Sequence, residues 1–394
     1  MTTAIDESIV YDLAVLGAGV SGLCLARALL REGAPQLTLA LVDGARDDDE
    51  LRTLSFWSAG PIALEPLVGH AWESLDVVGD DGEATRLTLR EYRYRTLFFA
   101  DLQREVKTRL AGDSKHAVID GRVTSLTDAG EHVTVTVGER TIKARWVCDS
   151  RFRRADLAVD RARWHLLWQH FRGWIVRTRT DAFDARAALF MDFRAGLPAG
   201  TAFFYVLPFA KNEALVELVT LESVDAEPVL RDYLRRAFGV EDVEVVAREA
   251  GVSPMTEQPF VWNPSPRVRA LGIAAGMLKP STGYALTRIL DDTRAIVASL
   301  ARDGHPLVAP RDSWLFRALD GVFLHLWERR PSVMPEVFRV MFRENPVDRV
   351  LRFLDERPSP WDMLALVANL PVGPFVRAAF GWTWRRLGFA RRND

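Results

Sequence analysis

Cysteine is scarce in this 394-residue chain: Cys24 and Cys148 are the only two. Two thiols cannot build a disulfide scaffold, and each sits in an apolar stretch as a small hydrophobe, which fits a reducing compartment. Long apolar runs are missing as well. None reaches the roughly 20 residues of a spanning helix, and the nearest, 363–376, is broken by Asn369, Pro371, Gly373 and Pro374. Residues 1–11 are polar and mixed in charge, so no signal peptide is expected ahead of the first strand. There is no basic excess: a formal net charge of −2 gives no reason to expect nucleic acid as a partner. Internal repeats and low-complexity segments are absent, and no metal site is expected. What is present, 48% hydrophobic residues, is ample for a core, and the length exceeds the roughly 100–200 residues of one domain.

The most informative segment begins with the apolar run Leu13 to Leu16, which reads as a buried parallel strand. Gly17, Gly19 and Gly22 follow at G-x-G-x-x-G spacing, and Leu23 to Leu30 reads as a helix. Gly17 permits the tight turn, Gly19 the approach of backbone to a pyrophosphate, and Gly22 the packing of helix on strand. An anion there is favoured by the unpaired N–H groups and dipole of the helix N-terminus. A second strand, Leu37 to Val42, delivers Asp43 about 20 residues further on, where an acid holds a ribose hydroxyl. Ile142 to Cys148 is a strand delivering Asp149, a further dinucleotide contact. Far downstream a second glycine-bearing stretch, Leu271 to Leu286, carries Gly276, Lys279, Gly283 and Tyr284 and leads into a helix over 284–299. The two stretches read as two walls of one flavin site.

Between 164 and 262 the periodicity is mainly that of strands, with one helix at 228–238, as in an antiparallel sheet covering a cleft. Residues 312–355 are mostly helical. The tail interleaves Phe375, Val376, Phe380, Trp382, Trp384, Leu387 and Phe389 with Arg377, Arg385, Arg386, Arg391 and Arg392. Rings at headgroup depth and cations toward anionic lipid describe an interfacial helix. The alternative is a helix packed on the body with its arginines solvated.

Further segments resemble bacterial lycopene cyclases. They are the run from Trp168 to Trp174, Met191-Asp192-Phe193, the run from Phe203 to Phe209, Glu213 to Glu217, Pro254-Met255-Thr256, and Lys279 to Tyr284. Order and spacing hold from about Tyr11 to Asp355. The resemblance implies an α/β fold: a Rossmann-like FAD-binding domain (1–160 and 263–310), an inserted, mainly antiparallel β substrate domain (161–262) and a helical C-terminal region (311–394). It implies a redox-neutral cyclisation of the ends of lycopene, a linear carotenoid, to ionone rings, most naturally β. Reduced FAD is the implied cofactor and NAD(P)H only the reductant. The implied setting is cytoplasmic and peripheral on a membrane surface, with other carotenoid-pathway enzymes as candidate partners. The alternatives are a cyclase acting on another polyprenyl chain, an FAD-dependent prenyl reductase or other oxidoreductase, and a carotenoid carrier.

The family's acid falls on Glu217, within Leu215-Val216-Glu217-Leu218-Val219-Thr220; the family's second glutamate and adjacent threonine are absent here. Glu217 stands in an apolar run, where burial raises a carboxyl pKa and leaves a proton to donate. Period-2 alternation makes neither face of the strand polar, so the side chain's direction stays open. Asp192, also in an apolar strand, is a candidate to hold Glu217 or a water, or to stabilise positive charge; a turn or edge carboxylate is the alternative. Glu249 is a third acid of interest. Lys279 is expected near an anionic reduced flavin or else solvated, and Ser55, in Ser55-Phe56-Trp57, is expected to touch the flavin.

Overall fold

The structure, a computed structural model, describes residues 9–44 and 52–388. The chain opens with β1 (Val10–Leu16), α1 (Val20–Leu29), β2 (Leu39–Asp43), β3 (Thr53–Ser58), β4 (His70–Trp72), β5 (Ser74–Val78), β6 (Ala84–Thr88) and β7 (Arg93–Phe98). Next come α2 (Phe99–Ala111), β8 (Ala117–Asp120), β9 (Val123–Asp128), β10 (Val133–Val137) and β11 (Arg140–Asp149). The middle holds β12 (Leu167–Arg177), β13 (Ala188–Asp192), β14 (Ala202–Ala210), β15 (Glu213–Thr220), α3 (Ala226–Phe238) and β16 (Glu244–Met255). The last part holds β17 (Val268–Ala270), α4 (Leu286–Asp303), α5 (Trp314–Arg329), α6 (Met334–Arg343), α7 (Val347–Leu354), α8 (Pro360–Asn369) and α9 (Val372–Arg386).

The first sheet has the order β8-β2-β1-β11-β10-β9, with β17 also paired to β11. Its β8, β2, β1, β11 and β17 run parallel, and β9, β10 and β11 form an antiparallel meander. β1 reads as unbroken apolar sequence because both of its faces are covered. Leu13 and Val15 pack in the cluster that includes α1 and α4, and Ala14 and Leu16 in the cluster behind the sheet. Both cysteines lie in this domain, where burial pushes each thiol up to about 12.

The second sheet, in the order β16-β12-β15-β14-β13-β5-β6, is antiparallel except where β13 meets β5. It reaches beyond 161–262, because β5 and β6 at 74–88 complete its edge. One face packs on α3 through Trp174, Phe204, Val216, Leu218 and Tyr233. The other, carrying Leu215 and Val219, faces the C-terminal helices. Both faces being covered is why β15 shows no polar side in sequence. A small third sheet, β3-β7-β4, links the two large ones.

Helix α8 ends at Asn369, and Leu370, the residue before Pro371, is extended with ψ 153°. α9 then leaves at 107° to it. Among the described residues no single helix is long and apolar enough to cross a membrane.

Candidate active site

A cavity of about 860 Å3 runs between the two glycine-bearing stretches. At one end stands the turn after β1. Gly17 has φ +92°, a conformation L side chains avoid, and a Cβ on it would lie 2.7 Å from Ser150 Oγ. A Cβ on Gly22 would lie 2.1 Å from the Gly17 carbonyl, so Gly22 is the packing glycine and does not line the cavity. Gly19 has open space on the side where its Cβ would be, at the mouth of α1. Open volume before a helix N-terminus is what a pyrophosphate requires. Asp43 and Asp149 line the same cavity, with Lys107 2.6 Å from Asp43 and Arg151 2.7 Å from Asp149. Ser55 lines it too, its hydroxyl 3.3 Å from Thr96 Oγ1.

The opposite wall comes from residues 282–286, including Gly283 and Tyr284. Gly283 has φ +77°, and a Cβ there would lie 2.2 Å from Gln169 Oε1. That glycine therefore lets the loop press on β12 just before α4 starts at Leu286. These residues fit an elongated dinucleotide with a planar ring system at the 283–286 end.

Three expected site residues lie elsewhere. Gly276 does not line this cavity. It ends a short turn at φ +75°, where a Cβ would meet the Phe260 ring at 2.8 Å. Lys279 is neither at the flavin wall nor solvated. Its buried ammonium sits 2.9 Å from Asp320 and 3.2 Å from Glu356, tying the 279–284 loop to α5 and to the end of α7. Asp192 faces α3, on the other side of the sheet from Glu217. It pairs with Phe204 in register, accepts from Tyr233 Oη at 2.7 Å and holds Arg194 at 2.6 Å. The pairing of β13 with β14 shifts between Leu189 and Asp192, an irregularity that simple alternation cannot show.

Glu217 does reach the cavity. In the antiparallel ladder Tyr205 pairs with Glu217, Glu217 with Gly173, and Gly173 with Glu249. These four residues form one row on one face. Because Gly173 has no side chain, the Glu217 and Glu249 side chains come together above it. A methyl built there would stand 2.9 Å from Leu215, 3.1 Å from Glu249 Cγ and 3.3 Å from Glu217 Cβ. Burial, and then the negative charge of Glu249, push the Glu217 carboxyl well above the usual range. So the second acid beside Glu217 comes from β16, not from Asp192. A glycine inside a strand is a sequence sign of close approach, though nothing in the sequence says what approaches.

Three phenols lie next to this row. Tyr94 Oη is 2.9 Å from Tyr284 Oη, and Tyr284 in turn bonds Tyr205. Burial raises all three. Tyr205, Tyr284, Gln169 and Thr282 also line a second cavity of about 320 Å3. Its other walls are apolar and aromatic, among them Trp57, Phe190, Phe203, Phe338 and Phe342. This second cavity extends to Val367, Val372 and Val376 at the α8–α9 bend, all three of which are also exposed at the surface.

The sequence model for the lycopene cyclase protein family matches residues 12–380. The chain belongs to that family. A lycopene beta-cyclase of Pseudescherichia vulneris is 25% identical over 409 residues, spanning 97% of this chain and 99% of that one. Solved structures extend the likeness in fold. A flavoprotein/dehydrogenase from Cytophaga hutchinsonii superposes with a TM-score of 0.60 at 13% identity, covering 97% of this chain and 100% of that one. A geranylgeranyl bacteriochlorophyll reductase-like protein from Thermoplasma acidophilum gives 0.59 at 13% identity, covering 95% and 99%. The architecture is thus the Rossmann-like, FAD-binding α/β fold, here in a lycopene cyclase family member.

Proposed function

We propose that the protein is an FAD-containing carotenoid cyclase that closes β-ionone rings on the ends of lycopene, with Glu217 as the initiating acid. The observation that carries this reading is the Glu217 carboxyl, pushed well above the usual range by burial, in the elongated cavity and paired in register with Tyr205, which that cavity shares with a second one lined mainly by hydrocarbon and aromatic side chains. FAD would be held by the turn at Gly17 and Gly19, with Gly22 packing the helix on the strand behind it, by Asp43 and Asp149, and by the 282–286 wall, with Ser55 alongside. When reduced, the flavin supplies negative charge beside a developing cation. NAD(P)H serves only to keep it reduced, because cyclisation consumes no electrons.

The residues of this chain perform the rest. The apolar cavity takes the end of the polyene and excludes water, and its aromatic walls stabilise positive charge. Glu217 gives its proton to the terminal double bond, leaving a tertiary cation that the next double bond attacks. Loss of a ring proton completes the product. Low dielectric keeps the acid protonated near neutral pH, as general acid catalysis requires.

A membrane position follows from the surface of α8 and α9. Trp361, Leu364, Val372, Val376, Phe380 and Trp384 are exposed, Trp361 by 77% and Phe380 by 75%. The apolar cavity opens beside Val372 and Val376, so a hydrocarbon entering there would reach Tyr205 and Tyr284, which also line the cavity that holds Glu217. The arginines play a different part from the one expected. Arg385 pairs with Glu328 at 2.6 Å, and Arg386 stacks on Trp164 at 3.6 Å, so both fasten α9 to the body. Arg391 and Arg392 lie outside the described residues.

Expression in cells that accumulate lycopene tests the reading directly. Cyclic carotenes should appear, and Glu217→Gln should keep fold and flavin but abolish ring formation. Glu217→Asp should keep a little activity, since its acid is withdrawn by one methylene. Stoichiometric NADPH consumption would instead identify a reductase, and binding without conversion a carrier.

A further inference from the structure

We propose that Glu217 and Glu249 share one proton across Gly173, with Glu249 as the ionised, positioning member that keeps the proton on Glu217. The inference rests on Glu217 being the acid and adds a residue that the family resemblance does not supply at this place. Two carboxylates brought together above Gly173 repel each other unless one proton lies between them. The surroundings assign it. Glu249 accepts the Thr53 backbone N–H at 2.8 Å and lies 2.9 Å from the Thr53 hydroxyl, donors that favour the anion. Glu217 lies between Leu215 and Val219 on its strand, faces the cavity, and has no comparable pair of donors among the described contacts. The groups facing the pair from neighbouring elements are the phenols of Tyr205, Tyr284 and Tyr94.

The fixed negative charge has a use at each half of the reaction. Glu217 loses its O–H bond as a C–H bond forms on the terminal alkene, and the ring then closes by a carbon–carbon bond. Two carboxylates now face the cation, which stabilises it. Their mutual repulsion makes Glu217 a better base for the departing ring proton, which restores the starting state. No electron is gained or lost.

The test is the pH profile of ring formation by the flavin-loaded enzyme on lycopene in anionic phospholipid vesicles. In Glu249→Gln the repulsion is gone and the amide can donate to an ionised Glu217. The descending alkaline limb should therefore move at least about one pH unit toward acid, with about ten-fold less activity near neutrality that recovers on acidification. Flavin content should be unchanged. Thr53→Val, which keeps the backbone donor and loses the hydroxyl, lets the proton shift toward Glu249 and should lower ring formation several-fold with no movement of the limb toward acid. Equal loss at every pH, or an unmoved limb in Glu249→Gln, would overturn the shared proton. If that variant fails to hold flavin, undiminished ring formation by Thr53→Val overturns it instead. Full ring formation by Glu217→Gln would overturn the acid assignment itself, a separate failure.

Discussion

Glu217 costs the fold something that its chemistry requires. Unfolded, it ionises in the ordinary carboxylate range; folded, it stays protonated to a much higher pH. Between those two values the folded state binds the extra proton, so stability declines as pH rises, by about 1.4 kcal/mol per pH unit. Below the ordinary carboxylate range both states are protonated and the difference vanishes. We therefore expect Glu217→Gln to melt at a higher temperature than the parent in mildly alkaline buffer and at a similar one in acid, as followed by circular dichroism. The glycines make opposite demands at the same scale. Gly19→Trp should fill the open space before α1 and abolish flavin absorbance while leaving the fold intact. Gly22→Ala should instead destabilise by about 1–3 kcal/mol through its clash with the Gly17 carbonyl.

At the scale of elements, the loop over 279–284 is fixed by a buried charge cluster rather than by flavin. Lys279 joins Asp320 of α5 and Glu356, and Arg288 of α4 reaches Glu356 at 2.6 Å. Removing one partner strands buried charge, so Lys279→Met should lower unfolding stability by about 3–5 kcal/mol in urea titration. α9 divides its two roles by face. Phe380→Ser with Trp384→Ser should weaken co-sedimentation with anionic vesicles and leave the melting temperature nearly unchanged. Arg385→Glu, placing an acid beside Glu328, should lower the melting temperature first. How much of this was legible depended on range. The β1–α1–β2 unit could be read because its signals lie within a few residues of one another. The strand of Glu217 could be read, but not its direction, because both faces of that sheet are buried. Glu249 could not be assigned, since its meeting with Glu217 depends on the pairing of β12 with both β15 and β16. Asp192 was misread for the same kind of reason: a register shift in β13 turns it to α3.

Across the whole molecule, the fold keeps two cavities of different character apart. The dinucleotide cavity is lined by the first sheet and its loops, by β3 and by one face of the second sheet, and the apolar cavity by the second sheet and α5–α9; they meet only at Tyr205, Tyr284, Gln169 and Thr282. The phenol chain therefore stands between cofactor and hydrocarbon. Tyr205→Phe removes the hydroxyl beside Glu217 but keeps the ring. We expect it to retain flavin and slow ring closure, a kcat effect with little change in KM, read from initial rates on lycopene-loaded vesicles.

The bend between α8 and α9 gives the second cavity its opening at the surface, and about 320 Å3 sits at the low end of ligand-site volumes. On the proposed reading, a long polyene with two like ends would present only one of them to Glu217 at a time, and the other would remain outside the protein. Turnover is then distributive: the half-finished molecule rejoins the common pool and competes with untouched chains for the next visit. One-ringed product should precede any two-ringed product, with a lag that lengthens as substrate outnumbers enzyme in the membrane. The balance of pigments would then reflect collision statistics as much as the active site.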